Sequence, residues 1–222
     1  ARADVRFYRH GDLDHLAKLL VDVTAAGRGP VIVVTDSAFS MDGDVVDVAA
    51  LVDTCADHDA LVVLDEAHAV LGPRVDLAAA AARGVTVVRV GTLSKALGSL
   101  GGFVAGPRRY VDLLRNRARP FIFTTAPTPA DVAAALAAVR VVRSAEGVAL
   151  MARLRSHVER LRPGHPTPIV PVVLGEEAAA LAAADDLLAQ GLLVPAIRPP
   201  TVPVGSSRLR VALSAAHTGE QV

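Results

Sequence analysis

Short apolar runs alternate along this chain with longer stretches in which apolar residues recur at helical spacing. Three runs, at 31–34, 60–64 and 85–90, are rich in β-branched residues and end in polar turns, as expected for strands buried on both faces of a sheet. Ahead of the first run, Asp12 can cap a helix from Leu13 to about Ala26. This alternation predicts an α/β fold with a largely parallel sheet.

The rest of the chain continues this pattern and then changes in texture. Further helices are predicted at 45–58, 76–83, 107–117, 130–161 and 176–190, and further strands at 101–105, 169–174 and 208–214. The long Ala-rich helix has a weak point at Gly147, where it could break. Because the texture changes at Pro163–Pro166, we expect a large domain at 1–127, a connecting helix at 128–162 and a small C-terminal α/β domain at 163–222.

Composition excludes several classes of protein. Of 222 residues, 52% are hydrophobic and 21% are charged, so the chain can bury a core and global disorder is not expected. Lys and Arg together equal Asp and Glu at 23 each, which argues against a nucleic-acid-binding protein. The single cysteine, Cys55, excludes an internal disulfide framework and a cysteine-based zinc site. No apolar run reaches the roughly 18 to 20 residues of a membrane span, and a cytoplasmic location is the default expectation.

Lysine is nearly absent from the basic residues. Arginine accounts for 21 of them, whereas Lys18 and Lys95 are the two lysines. Arginine can replace lysine wherever only a positive charge is needed, but not where a primary amine must react. Lys18 lies in an amphipathic stretch typical of a solvated helix face, while Lys95 lies in a turn that follows a predicted strand. Lys95 is therefore the candidate for amine chemistry.

Polar side chains follow three neighbouring strands of the predicted sheet. They are Asp36, Ser37 and Ser40 after the first strand, Asp65 and His68 after the second, and Thr92, Ser94 and Lys95 after the third. A right-handed crossover between parallel strands brings such loops to the same carboxyl edge of the sheet, where ligands bind in open α/β folds. We therefore expect these side chains to face one crevice.

Each of these residues also has an ordinary structural interpretation. Asp65 could cap the next segment, and His68 could be a hydrogen-bonded loop histidine. Ser40 and Thr92 could be turn hydroxyls, and Glu66 is interpreted as a surface or packing carboxylate. Taken singly, none of these residues is persuasive, so the prediction depends on their joint placement at three consecutive strand ends.

Two other site chemistries fit less well. The segment Val62–His68 resembles the nucleotide-hydrolysis box of helicases, in which Asp holds Mg²⁺ and Glu positions water. That chemistry needs a phosphate cradle of the type G-x-x-x-x-G-K-[ST], and neither lysine completes this motif. Asp-x-x-His alone is a weak signal for a metal site, so no metal is predicted.

Pyridoxal 5′-phosphate chemistry uses all of these parts. It needs an amine to form a Schiff base with the aldehyde, and Lys95 provides one. It also needs a carboxylate facing the pyridine nitrogen, which keeps the ring protonated as an electron sink. Asp65 fits that position, while His68 with Ser40 can donate to the phenolic oxygen and Thr92 can contact the phosphate.

The chain resembles a known family, the α-oxoamine synthases. These are fold-type I pyridoxal-phosphate enzymes that condense an amino acid with an acyl-CoA and lose CO₂. The matching segments are Ser37–Asp44, Asp65–His68, Gly91–Gly98, Gly101–Gly102, Phe121–Thr125 and Arg198–Pro203 followed by Arg208–Arg210. The match covers essentially the whole chain, and its motifs are specific in combination. Ala69 departs from the glycine that the family commonly has after the histidine.

The resemblance implies a role for each site residue. Lys95 would hold pyridoxal 5′-phosphate and act as acid and base, and Asp65 would stabilise the protonated pyridine. His68 would polarise the cofactor oxygen or the incoming carbonyl. Ser40 and Thr92 would complete the cofactor site.

The resemblance also implies a homodimer with shared active sites. Thr124 and Thr125 would reach the phosphate of the neighbouring subunit's cofactor, and the strand-like run Phe121–Phe123 would cross the two-fold interface. The alternative is that this run is internal core and that the threonines cap the helix near Pro127.

Substrate binding is implied for the segment that contains Arg198 and Thr201, with Arg198 binding the substrate carboxylate. This segment favours a member of the family that joins L-alanine to a pimeloyl thioester, carried by coenzyme A or an acyl-carrier protein, in biotin synthesis. Members that acylate glycine or serine are the alternatives within the family, and a catalytically incomplete scaffold is the alternative outside it. The resemblance further implies that the chain begins within the family fold, without the N-terminal arm, the phosphate-binding glycine turn and the residue that stacks on the pyridine ring.

Overall fold

The computed structural model describes residues 3–27 and 29–222. Its helices are α1 (Leu13–Ala25), α2 (Val48–Ala56), α3 (Ala78–Arg83), α4 (Arg108–Arg117), α5 (Arg119–Ile122), α6 (Pro129–Val142), α7 (Ala145–Leu161) and α8 (Glu177–Ala189). Its strands are β1 (Ile32–Asp36), β2 (Leu61–Asp65), β3 (Val87–Thr92), β4 (Gly102–Ala105), β5 (Ile169–Gly175), β6 (Ala196–Ile197) and β7 (Ser207–Ala212). These elements group into two compact units. The first unit comprises the residues up to 37 and 46–137, and the second comprises 38–45 and 138–222.

Four strands form the sheet of the first unit, in the order β1-β2-β3-β4. Strands β1, β2 and β3 are parallel, and β4 runs antiparallel to β3. The predicted α/β architecture with a mostly parallel sheet is thus confirmed. Because the three parallel strands run in the same direction, their last residues, Asp36, Asp65 and Thr92, lie at one edge of the sheet.

Helices α1 and α2 contribute to the main hydrophobic core of this unit together with the parallel strands. Its most buried side chains include Leu16, Leu20, Leu51, Val52, Cys55, Val62 and Leu64. Helix α1 begins at the predicted residue, because the carboxylate of Asp12 accepts a hydrogen bond from the backbone N–H of His15 at 2.8 Å. Burial raises the pKa of the Cys55 thiol to about 11, so this cysteine is a packing residue and not a nucleophile.

The second unit contains a smaller, antiparallel sheet in the order β5-β7-β6. Its buried side chains include Leu154 and Val158 from α7 and Ile169 and Val170 from β5. The predicted strands at 169–174 and 208–214 correspond to β5 and β7. The sequence pattern does not predict β6, because two residues show no periodicity.

The long predicted helix at 130–161 is two helices. Helix α6 ends at Val142, and α7 begins at Ala145 with Ser144 as its N-cap, whose side chain accepts from the backbone N–H of Gly147 at 3.3 Å. A side chain at position 147 would put its Cβ 2.2 Å from the carbonyl oxygen of Val141. Gly147 therefore does mark the break, because only glycine lets the first turn of α7 approach the end of α6 so closely.

The apolar run Phe121–Phe123 is not a strand, because its first two residues are helical and Phe123 is the C-cap of that helix. It overlaps the short helix α5, which has Pro120 in its first turn, where proline is tolerated. Phe121 is 60% exposed and Phe123 is 71% exposed, so the alternative that this run is core is wrong for the described chain. The residue that caps the following helix is Thr128, whose hydroxyl accepts from the backbone N–H of Asp131 at 3.2 Å.

None of the helices in residues 3–27 and 29–222 combines the length and the apolar character that crossing a membrane requires.

Candidate active site

Lys95 lies on a short, internally hydrogen-bonded loop between β3 and β4. The backbone N–H of Gly98 donates to the carbonyl of Lys95 at 3.1 Å, and that of Ser99 donates to the carbonyl of Leu93 at 2.9 Å. Gly98 has a φ of +60°, a left-handed conformation that glycine adopts without strain. The loop leaves the side chain of Lys95 exposed beyond the carboxyl end of β3.

The ammonium group of Lys95 contacts the imidazole of His68. The distance from Lys95 Nζ to His68 Nε2 is 2.9 Å, although the two residues are 27 positions apart. His68 follows β2 and Lys95 follows β3, so the parallel alignment of these strands creates the contact. In the tautomer that carries its proton on Nδ1, the imidazole accepts this hydrogen bond at Nε2.

Asp65 ends β2 and has a firmly held backbone. Its carbonyl oxygen accepts from both the N–H and the hydroxyl of Ser37, at 2.8 Å and 3.1 Å. Its carboxylate oxygen Oδ1 accepts from the N–H of Ala67 at 2.8 Å. Asp65 is thus a local cap, as its ordinary interpretation predicts. Oδ2 of Asp65 has no hydrogen-bond partner among residues 3–27 and 29–222, so this oxygen can bind a ligand.

Glu66 is buried, which the sequence does not decide. It is 5% exposed, and its two carboxylate oxygens accept from Nε and Nη2 of Arg89 at 2.8 Å each. This two-pronged, charge-assisted contact ties the turn after β2 to strand β3. Since Glu66 lies between Asp65 and the His68 turn, the pair holds the backbone that carries both candidate residues.

The hydroxyl of Thr92 is an orphaned polar atom. Its Oγ1 is buried and has no hydrogen-bond partner in the part of the chain that the structure describes. Buried polar groups in native proteins are almost always paired, so an unpaired hydroxyl at a strand end indicates a position for a ligand acceptor such as a phosphate oxygen.

Asp36 is a second carboxylate at the same edge. It pairs in register with Asp65 across β1 and β2. Burial raises the pKa of Asp36, and the neighbouring charge of Asp65 raises it further, while Lys95 and His10 act in the opposite direction. Asp36, Asp65 and Lys95 are therefore electrostatic neighbours, and the edge combines like-charged carboxylates with an exposed amine.

Ser40 belongs to the second unit, within the segment 38–45. Its carbonyl oxygen accepts from Nε of Arg210 at 2.6 Å. Arg210 is partly buried, and this burial lowers the pKa of its guanidinium. No described residue bonds the two Nη atoms of Arg210, so they can bind an anion.

Arg198 and Thr201 also lie in the second unit. Arg198 is exposed, and its Nη1 makes an ion pair with Glu177 Oε1 at 2.7 Å. The N–H of Thr201 donates to the carbonyl of Arg198 at 3.0 Å, which closes the turn that carries both residues. Binding of a carboxylate by Arg198 would compete with Glu177.

Thr124 and Thr125 are exposed and make no described contact with Lys95 or Asp65. The hydroxyl of Thr124 donates only to the carbonyl of Thr125, at 3.5 Å. Within one subunit, the structure therefore brings together Asp65, His68 and Lys95 with Thr92 nearby on β3, and it leaves the two threonines apart from them.

Residues 1–222 match the protein family described as aminotransferase class I and II. The chain belongs to the aminotransferase class I and II family. Two curated relatives within this comparison are named 8-amino-7-oxononanoate synthase. The one from Anaeromyxobacter dehalogenans (strain 2CP-C) is 51% identical over 100% of this chain and 58% of its own length. The one from Janthinobacterium sp. (strain Marseille) is 44% identical over 100% of this chain and 59% of its own length. This chain thus spans less than two thirds of the length of these relatives.

Solved structures agree with this family assignment. Serine palmitoyltransferase from Sphingomonas wittichii has a TM-score of 0.84 and 31% identity, and the match covers 96% of this chain and 57% of that chain. An 8-amino-7-oxononanoate synthase from Francisella tularensis has a TM-score of 0.76 and 22% identity over 99% of this chain and 65% of its own, and it shows the fold alone. The resemblance to the α-oxoamine synthases and the fold-type I pyridoxal-phosphate transferase architecture are therefore confirmed.

The residues at the sheet edge fit the cofactor of this family. Pyridoxal 5′-phosphate presents an aldehyde, a basic ring nitrogen and a phosphate. The first unit offers an amine at Lys95, a carboxylate oxygen at Asp65 and the unpaired buried hydroxyl of Thr92. Sequence reasoning did not assign roles to Arg89 or Asp36, because neither stands in a chemical motif and both acquire their contacts from neighbouring strands.

We predict that Asp36→Asn raises the melting temperature at neutral pH, because it removes a carboxylate whose charge is disfavoured by burial and by Asp65. The native pKa of Asp36 lies above the ordinary value of 3.8, so protonation favours the folded state and the stability of the natural protein falls as the pH rises through that native pKa. The difference between the variant and the natural protein should disappear below about pH 3.8. Melting curves across this pH range measure it.

The matched control is Asp185→Asn, which removes an exposed carboxylate on α8 and should leave the melting temperature unchanged. Equal melting temperatures for Asp36→Asn and the natural protein at neutral pH would contradict the raised pKa of Asp36 in the folded protein.

Proposed function

We propose that this chain carries the lysine-bearing part of an 8-amino-7-oxononanoate synthase. The reaction joins L-alanine to a pimeloyl thioester, on coenzyme A or an acyl-carrier protein, and releases CO₂ and the thiol. The observation that carries this proposal is the 2.9 Å contact between Lys95 Nζ and His68 Nε2 at the sheet edge that ends in Asp65. The two relatives of that name, at 51% and 44% identity, support it.

Pyridoxal 5′-phosphate is the proposed cofactor, and when bound it supplies an electron sink for negative charge at the α-carbon of the amino acid. Lys95 would hold its aldehyde and Asp65 its protonated ring nitrogen. Thr92 would donate its hydroxyl to the phosphate. Ser40 and His68 would donate to the phenolic oxygen.

Proton transfer falls to Lys95, while His68 would polarise the cofactor oxygen or the incoming carbonyl. The 2.9 Å contact between Lys95 Nζ and His68 Nε2 would hold the amine at the sheet edge. The same amine later accepts the α-proton of alanine and returns it after condensation. The carboxylate of Asp65, oriented by its contact with the N–H of Ala67, would be the partner of the protonated pyridine.

The two proposed substrates need two anion sites. Alanine and the pimeloyl chain each carry a carboxylate, and the second unit offers two candidate guanidinium groups. Arg198, beside Thr201, would have to break its ion pair with Glu177 before it could bind a substrate carboxylate. The two Nη atoms of Arg210, in contrast, have no hydrogen bond to any described residue. Arg198 with Thr201 is the proposed carboxylate site, and Arg210 is a second one.

Other members of the family remain the alternative function. The serine palmitoyltransferase structure has a TM-score of 0.84, which reflects the shared fold, and its 31% identity is well below the 51% of the relative from A. dehalogenans. Glycine C-acetyltransferase and 5-aminolevulinate synthase differ in the amino acid and the acyl chain. Product analysis with alanine, serine and glycine as competing substrates separates these enzymes.

A homodimer with shared active sites is the proposed assembly. Phe121, Ile122 and Phe123 are 60%, 43% and 71% exposed, which is unusual for adjacent large apolar residues of a monomer. A two-fold interface would bury this run on both subunits at once. The neighbouring hydroxyls of Thr124 and Thr125 would then reach the phosphate of the other subunit's cofactor.

Lys95→Ala is expected to abolish the visible absorbance that the natural protein acquires with pyridoxal 5′-phosphate, because the other lysine of the chain, Lys18, lies on α1. Lys18→Arg is the matched control and should behave as the natural protein does. Borohydride reduction followed by peptide mass analysis should find the label at position 95 alone. A natural protein that acquires neither absorbance nor label would instead be a scaffold.

Asp65→Asn is expected to retain the cofactor on Lys95 but to lower turnover by orders of magnitude, because an amide cannot stabilise a protonated pyridine. The folded structure should survive, since asparagine still offers an oxygen to the N–H of Ala67. Steady-state kinetics and the cofactor spectrum measure the two effects separately. Turnover at the natural rate would mean that Asp65 is a cap only.

Mixing Lys95→Ala protein with Thr124→Ala/Thr125→Ala protein tests the shared site. Each heterodimer would have one site with an intact lysine and intact threonines, so random exchange of subunits should restore about a quarter of the natural activity. Each variant mixed with itself should stay inactive. A stable monomer in sedimentation that still binds the cofactor tightly would rule out sharing.

A further inference from the structure

We propose that Arg208 and Asp42 are positioning residues, whose ion pair holds the segment Ala38–Val45 on the small sheet of the second unit and thereby sets the position of Ser40. This inference rests on the proposed function, because Ser40 is there assigned to the cofactor. The segment is called the Ser40 loop below.

The ion pair has one deeply buried partner. Arg208 is 5% exposed, and its Nη1 donates to Oδ1 of Asp42, which lies 166 positions earlier in the chain. The Nε of Arg208 donates to the carbonyl of Ser206 at 3.0 Å, which fixes the guanidinium plane. Separation of this pair would leave an unpaired charge on the buried guanidinium and strongly destabilise the folded protein. The ion pair therefore keeps Asp42 in place.

The carbonyl of Gly43 provides a second anchor for the loop. The hydroxyl of Thr167, itself 1% exposed, donates to this carbonyl at 2.6 Å. Gly43 has a φ of +66°, and a Cβ there would lie 1.8 Å from the carbonyl oxygen of Ile169. The loop is therefore packed directly against the backbone at the start of β5.

Hydrogen bonds within the Ser40 loop connect its two ends, so a displacement of one residue also displaces the others. Ala38 and Val45 form an antiparallel bridge. The N–H of Phe39 donates to the carbonyl of Asp44, and that of Gly43 donates to the carbonyl of Phe39, both at 2.9 Å. Ser40 lies inside this closed turn, two positions from Asp42. A shift at Asp42 is therefore transmitted to Ser40.

Loss of the ion pair has two separable consequences, in stability and in loop position. Asp42→Asn leaves Arg208 buried with an uncompensated charge, which lowers stability as well as releasing the loop. The double variant Asp42→Asn/Arg208→Met removes that charge, so stability should largely recover while the loop stays released. If the ion pair served folding alone, the double variant would recover both its stability and the natural position of the loop.

The test uses hydrogen exchange and cofactor affinity on the protein at its natural length. Without cofactor, exchange at the amides of Phe39 and Gly43 should rise about tenfold in the single and in the double variant, the size of a typical coupling between contacting residues. Exchange in β5 and α7 should return to the natural rate in the double variant. The dissociation constant for pyridoxal 5′-phosphate should rise about tenfold in both, and the spectrum of the bound cofactor should titrate at a shifted pH.

Glu159→Gln is the matched control, because it removes the charge of an exposed ion pair with Arg155 in the same unit while its amide oxygen can still accept from the N–H of Gly164. It should change neither exchange nor affinity. Unchanged exchange of the Ser40 loop in Asp42→Asn would overturn the proposal, and so would full recovery of the loop in the double variant. Failure of the natural protein to bind the cofactor would refute the proposed function, and the exchange measurement would still decide the role of the ion pair.

Discussion

The common direction of β1, β2 and β3 is the constraint on which the candidate site depends. Parallel strands end at the same edge, so residues that follow each strand meet there although they are far apart in sequence. The contact between Lys95 and His68, at 2.9 Å, is a direct consequence. A shift of β2 by one residue would turn Asp65 to the other face of the sheet and separate it from Asp36.

Charge is concentrated at this edge and is balanced by nearby groups. Asp36 and Asp65 stand in register, and the charge of Asp65 raises the pKa of Asp36, while Lys95 acts in the opposite direction. Glu66 adds a third carboxylate beside them, but Arg89 neutralises it in a two-pronged contact. The remaining negative charge suits a ligand with a protonated ring, and the nearby amine suits one with an aldehyde.

The second unit shows how distant segments can form one structural element. The Ser40 loop follows β1 in the sequence, but the side chains that hold it come from a distant part of the chain: Arg208, Arg210 and Thr167. The loop is consequently a part of the small sheet's unit and not of the larger sheet's unit.

The sequence by itself determined the alternation of strands and helices, the cap at Asp12 and the candidate amine, because period, capping and residue chemistry are local properties. It also indicated Gly147 as the break in the long helix. It could not determine that Phe121 and Ile122 are helical, since a short apolar run is compatible with either a strand or a helix and neighbouring structure decides between them. Tertiary structure alone decided the burial of Glu66 against Arg89, the pairing of Asp36 with Asp65 and the orphaned hydroxyl of Thr92. These three depend on which strands become neighbours and in what register, and that choice is made by burial of the whole core and not by any segment of the chain.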